Sequence, residues 1–217
     1  MRKTKELILQ TALRLFSQKG FEGVSVRDMA GELELTAPAL YVHFKNKQEI
    51  LEAILMRMEE RDAELSSQDS VPSMSFEKAP EAYIHVEMSR LEAFTLDIFR
   101  YWTEDEFAVC FRHLLTIEQY RDERFAALFQ QYLGRGVIQY LEDIFRLNFP
   151  CGDSHQMALA YFAPIPFFMG QYDVTTTKKG RAEIVLALQN HLREFMCRLP
   201  GDPITPKPTI KNIEKNA

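Results

Sequence analysis

The stretch LYVHFKNK, from Leu40 to Lys47, mixes apolar side chains with groups that donate hydrogen bonds. Tyr41, His43 and Lys47 offer a phenol, an imidazole and an ammonium, all of which suit contacts with phosphate oxygens. Successive helical residues turn by about 100°, so Leu40 and Phe44 share one face while Tyr41 lies on another. The spacing predicts a segment that packs through its apolar face and presents polar side chains to a polyanion.

The helices that must position this segment begin and end at recognisable signals. A first helix over about Thr4–Lys19 ends at Gly20, because glycine favours the left-handed cap of a helix C-terminus. Ser25, with Asp28 three residues later, resembles a capping box. It predicts a second, short helix over about Val26–Leu33.

Two more helix starts follow closely. Thr36 caps a third helix that begins near Ala37, and Pro38 is tolerated in its first turn because that N–H has no helical partner. Asn46, with Glu49 three residues later, starts a fourth helix. Starts at this spacing favour a helix-turn-helix over an ordinary helical bundle.

The side chains around the third helix suit duplex DNA. Ala37 and Ala39 are small enough to let a helix approach the floor of a major groove. Arg27, in the first turn of the second helix, has the forked donors that read a guanine edge or hold a phosphate. Lys47 lies in the first turn of the fourth helix, where free backbone N–H groups and its own charge favour a phosphate.

These residues also carry a resemblance to a known family. Residues 5–54, with the runs ALRLFSQKGFEGVSVRDMA and LTAPALYVHFKNKQEIL, resemble the N-terminal domain of the tetracycline-repressor family of bacterial transcription regulators. The resemblance implies that the third helix enters the major groove and that Tyr41 and Lys47 contact phosphates. The expected DNA-binding residues are Ser25, Arg27, Thr36, Ala37, Pro38, Ala39, Tyr41, His43 and Lys47.

One position departs from that family. The turn between the second and third helices usually has a glycine where this chain has Glu34. Glycine accepts a left-handed conformation at little cost, whereas glutamate there costs about 1 kcal/mol. Either the turn has a different geometry in this chain, or the strain is tolerated.

The remainder of the chain has the patterns of further helices, so the predicted fold class is all-α. The expected helices cover about 76–102, 105–118, 122–147, 154–172 and 181–199, and Pro164 and Pro166 kink the fourth of these. The predicted domains are a helix-turn-helix domain over 1–47, a larger helical domain over 48–200 and a flexible tail over 201–217. By resemblance, the larger domain binds a small-molecule effector and forms a homodimer.

Candidate residues for both roles follow from the apolar pattern. Aromatic residues are dense between 94 and 132, and an apolar pocket between bundle helices is a common ligand site. Trp102, Phe111 and Phe129 are the expected lining of such a pocket. The last helix has one apolar stripe at helical spacing, which is the expected dimer interface. Its members are Ile184, Leu188, Leu192, Phe195 and Leu199.

Charge is unevenly distributed along a chain whose net charge is −5. Residues 1–47 hold eight Lys and Arg against five Asp and Glu, so a small basic head precedes an acidic body. This asymmetry permits a polyanion at the head and slightly favours an amphipathic cation as effector. The three widely spaced cysteines suit a reducing, cytoplasmic compartment, and no apolar run of about 18 residues predicts a membrane span.

The combined prediction is a homodimeric, ligand-responsive transcription regulator, a repressor on a palindromic operator, without cofactor or metal. One alternative is an α-helical enzyme, for which no convergent catalytic groups have the expected spacing. Cys110 and His113 are three apart on one helix but lack a second pair of metal ligands. The other alternative is a module whose helix-turn-helix binds protein. Salt dependence separates it from a DNA-binding protein.

Overall fold

The computed structural model describes residues 2–68 and 86–199, which form eleven α-helices and, within those ranges, no β-strand. The all-α prediction is therefore confirmed. None of these helices combines the length and the apolarity that crossing a bilayer requires. The helices are α1 (Arg2–Lys19), α2 (Val26–Glu32), α3 (Ala37–Tyr41), α4 (Lys47–Gln68), α5 (Met88–Glu104), α6 (Glu106–Glu118), α7 (Glu123–Leu133), α8 (Arg135–Asn148), α9 (Ser154–Phe162), α10 (Pro164–Val174) and α11 (Lys178–Cys197).

The first three helices form a head around buried apolar side chains. Ile8 and Phe16 of α1 are fully buried, as is Leu40 of α3. Phe44, just beyond α3, is buried as well, and the ammonium of Lys5 on α1 lies 5.4 Å from the centre of its ring. The predicted burial of Leu40 and Phe44 on a shared inner face is confirmed.

The turn between α2 and α3 keeps its left-handed geometry without glycine. Glu34 has φ 55°. The N–H of Leu35 donates to the carbonyl of Ala30 at 2.8 Å, and the N–H of Glu34 donates to the carbonyl of Gly31 at 3.2 Å. These two bonds make a Schellman cap, in which the left-handed position is usually glycine. Of the two alternatives for this turn, tolerated strain is the correct one.

We expect Glu34→Gly to stabilise the protein slightly. Glycine removes a left-handed cost of about 1 kcal/mol, and its greater freedom in the unfolded chain cancels part of that gain. The free energy of unfolding in a chemical denaturation series should rise by about 0.5 kcal/mol. Glu34→Ala removes the carboxylate but keeps Cβ, so it should give no such rise. An equal rise in both variants would assign the effect to charge.

The predicted single helix over 122–147 is wrong, because two helices occupy this range. α7 and α8 meet at Gly134, whose φ of −136° and ψ of −120° are far from helical values. The side-chain oxygen of Gln130 accepts the backbone N–H of Arg135 at 3.3 Å. A Cβ at Gly134 would lie 2.7 Å from that same oxygen, so a larger residue there would displace the Gln130 side chain.

The single kinked helix predicted over 154–172 is instead two helices, which meet next to the first of the paired prolines. α9 ends at Phe162, and Pro164 is the first residue of α10. Proline has no N–H to donate, so the helical hydrogen-bond ladder stops there. The intervening Ala163 keeps helical angles, with φ −53° and ψ −36°. The first ten residues of the predicted helix over 76–102, and the predicted tail over 201–217, lie outside the described residues.

The head is joined to the larger part by helix packing and by one buried carboxylate. α1 lies along α6 and against α4, and the apolar core is continuous between the two parts. Glu118, the last residue of α6, is buried and accepts the backbone N–H of Phe21 at 3.1 Å. The rings of Phe21 and Phe125 are 5.5 Å apart. The domain boundary at 47/48 stays a prediction, since the core shows no gap there.

Candidate functional site

The head presents one exposed surface at α3 and the turn that follows. Tyr41 is 50% exposed and Val42 is 79% exposed, whereas the adjacent Leu40 is fully buried. Pro38, in the first turn of α3, is exposed as well. The segment therefore has an inner face that holds it in the head and an outer face that is open to a partner.

Two of the predicted DNA-binding side chains form helix caps. The Ser25 hydroxyl donates to the carboxylate of Asp28 at 2.6 Å and accepts the backbone N–H of Asp28 at 3.2 Å. The bonds from Ser25 lower the pKa of the Asp28 carboxyl. Thr36 accepts the backbone N–H of Ala39 at 3.4 Å. Both predicted caps are confirmed, and they fix how α2 and α3 leave their preceding turns.

Lys47 is turned toward the turn between α1 and α2. Its ammonium donates to the carbonyl of Phe21 at 2.8 Å and to the carboxylate of Glu22 at 3.2 Å. It also lies 4.3 Å from the centre of the Phe21 ring. A phosphate contact by Lys47 therefore requires the phosphate to replace or join the Glu22 carboxylate.

The other predicted contact residues differ in exposure. Arg27 is exposed on α2, while Ala37 and Ala39 are half-buried. His43 is half-buried too, and its Nδ1 is buried with no hydrogen-bond partner among the described residues.

Sequence reasoning missed two exposed residues of this surface, Val42 and Lys45. The spacing of the apolar residues already indicated that Val42 is exposed. Val42 lies two residues from both Leu40 and Phe44, about 200° around a helix from each, and hence opposite the buried face.

A cavity of about 360 Å³ lies inside the larger part. Residues from α5 to α10 surround it, and Met58 contributes from α4. Most of its wall is aromatic or aliphatic, and cavities of this size and character are typical of small-molecule sites. The aromatic lining residues are Phe94, Tyr101, Trp102, Phe129, Tyr132, Tyr140, Tyr161 and Phe162.

The structure brings two of the three predicted lining residues to this cavity. Trp102 and Phe129 form part of its wall, whereas Phe111 does not. Phe111 is fully buried behind the wall, with its ring 6.2 Å from that of Trp102 and 5.3 Å from that of Tyr132. Its role is to support the wall, since its position in the core leaves it no face toward the cavity.

One end of the cavity is polar. Arg112 of α6 donates to both carboxylate oxygens of Asp173 of α10, at 2.8 and 2.7 Å. Nε of Arg112 also donates to the backbone carbonyl of Trp102 at 3.1 Å. Nε2 of His113 is 3.1 Å from Asp173. The pair therefore links α6 to α10 across the cavity.

The charge of Asp173 follows from these contacts. Burial alone would raise the pKa of its carboxyl, but hydrogen bonds from His113 and Arg112, with the charge of Arg112, hold that pKa well below its ordinary value. Asp173 is therefore ionised at neutral pH. Sequence reasoning missed this pair because its members are 61 positions apart.

A second polar contact also belongs to the lining. The hydroxyls of Thr95 and Tyr161 are 2.6 Å apart, and the Tyr161 hydroxyl also donates to the carbonyl of Leu91 at 3.3 Å. Burial raises the pKa of Tyr161, so its hydroxyl stays neutral. Both hydroxyls have partners within the protein.

The predicted dimer stripe on α11 is corrected by its burial. Leu188 and Leu192 are fully buried within the subunit. The Phe195 ring lies 5.5 Å from that of Phe145 and 5.1 Å from that of Tyr161. The remaining members, Ile184 and Leu199, are half-buried against the same core. Leu188 and Leu192 thus face the interior of their own subunit and cannot meet a partner, whereas Ile184, Phe195 and Leu199 keep part of their surface exposed.

The opposite sides of α10 and α11 present other apolar side chains. Phe167, Val174 and Leu186 are each more than half exposed. Phe167 follows the buried Ile165 by two residues, and Leu186 precedes Leu188 by two. Two residues correspond to about 200° of helical turn, so these side chains point away from the core. The outer side of α10 therefore exposes two large apolar side chains, and that of α11 exposes one.

Cys110 and His113 do not share a site. The pKa of the Cys110 thiol is raised by burial, and its hydrogen-bond neighbour is Ser17 of α1. His113 faces Asp173 at the cavity instead. Within the described residues, no group of three or more metal-ligating side chains comes together.

Comparison with known proteins gives a family match over the head. Residues 8–54 match the family described as bacterial regulatory proteins, tetR family. The tetracycline repressor protein class C of Escherichia coli is 43% identical over 54 residues, which are 25% of each chain. The HTH-type transcriptional regulator AcrR of Shigella flexneri is 35% identical over 86 residues, 39% of this chain and 40% of AcrR. The chain thus matches well under half the length of these relatives.

Solved structures extend the likeness in fold to the larger part. The structure of SmeT in complex with triclosan has a TM-score of 0.61 and 21% identity, covering 95% of this chain and 98% of that one. SmeT is described as the repressor of the Stenotrophomonas maltophilia multidrug efflux pump SmeDEF. A TerR/AcrR-family regulator from Aquifex aeolicus VF5 also has a TM-score of 0.61, with 19% identity over 89% of this chain and 98% of that chain.

Proposed function

We propose that this chain, whose residues 8–54 match the tetR family of bacterial regulatory proteins, is a DNA-binding transcription regulator of that family. In this proposal it represses as a homodimer on a palindromic operator and responds to a small-molecule effector. One observation carries the proposal: the outer face of α3, with Tyr41 half exposed, is open, while Leu40 on its inner face is fully buried in the head. The other expected contacts, from Ser25 to Lys47, lie on the elements around that face.

Duplex DNA fits this face better than a protein partner does. A helix with small residues at its start enters a major groove, while neighbouring polar and basic groups hold the phosphates. The head also carries more basic than acidic residues on an acidic chain. The operator lies in the bacterial cytoplasm, so we place the protein there.

The exposed apolar side chains of α10 and α11 are the proposed dimer interface. Phe167, Val174 and Leu186 replace the stripe that sequence predicted. Two helices from each subunit would pack as a four-helix interface, which removes these side chains from water. A two-fold dimer presents two α3 helices to two half-sites, about 34 Å or a multiple of that apart.

The cavity is the proposed effector site, because it is mostly apolar and touches helices that lead to the head. α4 contributes Met58 to the lining and begins in the head, where Lys47 binds Phe21. α6 contributes Arg112 to the lining and ends at Glu118, which also binds Phe21. An effector that favours another arrangement of α4 and α6 would weaken DNA binding. By linkage, DNA would weaken effector binding equally.

Selection of duplexes from a random pool tests the proposal. We expect enrichment of an inverted repeat that binds two subunits, because a two-fold dimer reads two equivalent half-sites. Recovery of unrelated sequences with no shared element would contradict sequence-specific binding. A single half-site binding one subunit would contradict the dimer.

We expect Tyr41→Phe to weaken binding to the selected duplex about fivefold, since one hydrogen bond to a phosphate contributes about 1 kcal/mol. Fluorescence anisotropy with labelled duplex measures the affinity. Tyr120→Phe is the matched control, because Tyr120 is exposed just beyond the end of α6 and is not among the expected DNA contacts. Equal affinity of the Tyr41 variant and wild type would remove this hydroxyl from the contacts.

A further inference from the structure

We propose that the cavity takes a neutral aromatic molecule that carries a hydrogen-bond donor, such as a phenol, and that this donor binds the carboxylate of Asp173. This inference rests on the proposed function of the cavity as the effector site. It follows from which hydrogen-bonding groups at the polar end are already engaged.

Arg112 already uses three of its five N–H groups within the protein. Each of its three guanidinium nitrogens donates to an acceptor of the protein, one to the Trp102 carbonyl and two to Asp173. Its side chain is only 8% exposed. An anion that took Arg112 away from Asp173 would leave that partly buried carboxylate with His113 as its remaining partner, which is costly.

The neighbouring polar groups offer acceptors. Asp173 is ionised and only accepts, so the Nε2 of His113 that lies 3.1 Å from it carries the proton. The tautomer that carries its proton on Nε2 has an acceptor at Nδ1. The hydroxyl of Thr116 donates to the Arg112 carbonyl at 2.8 Å, which leaves its oxygen to accept. His113 and Thr116 both line the cavity.

Asp173 is the strongest of these acceptors because it is charged. Its Oδ1 accepts one bond, from Arg112, while a carboxylate oxygen has room for two. Its side chain is 22% exposed and belongs to the cavity lining. Hydrogen bonds to an ionised acceptor are stronger than those between neutral groups.

The charge balance favours a neutral ligand. Arg112 and Asp173 cancel each other, so this end attracts neither cations nor anions by net charge. A ligand carboxylate would meet the like charge of Asp173 and lose its hydration without gaining a partner. The acidic excess of the whole chain, which slightly favours a cationic effector, is thus not repeated at the cavity.

The walls favour an aromatic body. Trp102 and Phe129 line the cavity together with several tyrosines. Flat rings pack against such side chains in offset or edge-on arrangements. A phenol joins both features, and with a pKa near that of tyrosine, about 10, it is neutral at pH 7.

Three matched biphenyls test the proposal by isothermal titration calorimetry at pH 7 without DNA. They are 4-phenylphenol, 4-methoxybiphenyl, which can only accept, and biphenyl-4-carboxylate. We expect the phenol to bind at least tenfold more tightly than either of the others. A methyl ether or a carboxylate that binds as tightly as the phenol would overturn the proposal, and so would the failure of all three to bind.

Asp173→Asn then tests the assigned acceptor. An asparagine amide keeps an acceptor for Arg112 but can also donate to an ether oxygen. The tenfold preference for the phenol should therefore fall below threefold. Asp143→Asn, at a surface pair with Arg146, is the matched control and should keep the full preference. An unchanged preference in the Asp173 variant would overturn its role, and circular dichroism verifies that both variants are folded.

DNA release is measured separately, so that the two proposals can fail independently. If 4-phenylphenol binds with the expected preference but does not release the selected duplex, the regulatory function of the cavity fails and the ligand class stands. If a carboxylate binds and releases the duplex, the ligand class fails and the regulatory function stands.

Discussion

Replacement of Leu188 and Leu192 together by aspartate is expected to unfold the subunit. Both side chains are fully buried in the core that α11 shares with α5, α9 and α10. Each substitution removes apolar contacts worth about 2–5 kcal/mol and adds an unpaired buried charge. An ordinary domain has a total stability of about 5–15 kcal/mol. The combined loss should remove most or all of that stability. Circular dichroism during thermal unfolding will show the loss of the cooperative transition.

Phe167→Asp with Leu186→Asp is the matched pair on the outer faces of the same helices. These side chains are more than half exposed in one subunit. The variant should keep its cooperative unfolding and its helix content, but sediment as a monomer. Folded dimers of the outer variant would contradict the proposed interface. If the variant with Leu188→Asp and Leu192→Asp forms folded monomers, the α11 stripe predicted from sequence is the dimer interface after all.

Asp173→Ala is expected to lower the free energy of unfolding by about 3 kcal/mol, because it leaves the buried guanidinium of Arg112 without its main partner. The carboxyl pKa is lower in the folded state than in the unfolded state. The pair therefore stabilises the protein above the unfolded pKa of about 4, and the stabilisation is lost as the pH falls further. The difference between wild type and variant should accordingly be full at pH 7 and shrink below pH 4 in denaturation series.

A double variant separates the broken pair from lost packing. Arg112→Met with Asp173→Leu replaces both charges by apolar side chains, which is often neutral for a buried pair. We expect it to recover most of the stability that Asp173→Ala loses. If the double variant is less stable than the single one, the pair contributes through more than mutual neutralisation, and the interpretation is wrong.

The head was predictable because its signals are local. Caps at Ser25 and Thr36 act over three residues, and the spacing of Leu40 and Phe44 fixes one buried face. Even the strained turn at Glu34 was identified as a conflict between the residue and the expected conformation. Which side chains of the head touch DNA stays a prediction.

The larger part was less predictable because its features depend on tertiary partners. Helical periodicity identified the buried face of α11 through Leu188 and Leu192, but periodicity does not say whether the same subunit or a partner covers that face. The break at Gly134 depends on one residue within a pattern that otherwise continues. The Arg112–Asp173 pair joins helices that are distant in sequence, so no local pattern reveals it.

The salt dependence of binding to the selected duplex tests the central claim most directly. Fluorescence anisotropy between 50 and 200 mM salt gives the slope of log affinity against log salt concentration. A dimer whose two heads contact about six to ten phosphates should lose about 10³–10⁵ in affinity over that range. An affinity that stays constant over the same range would contradict a regulator that holds DNA by its phosphates.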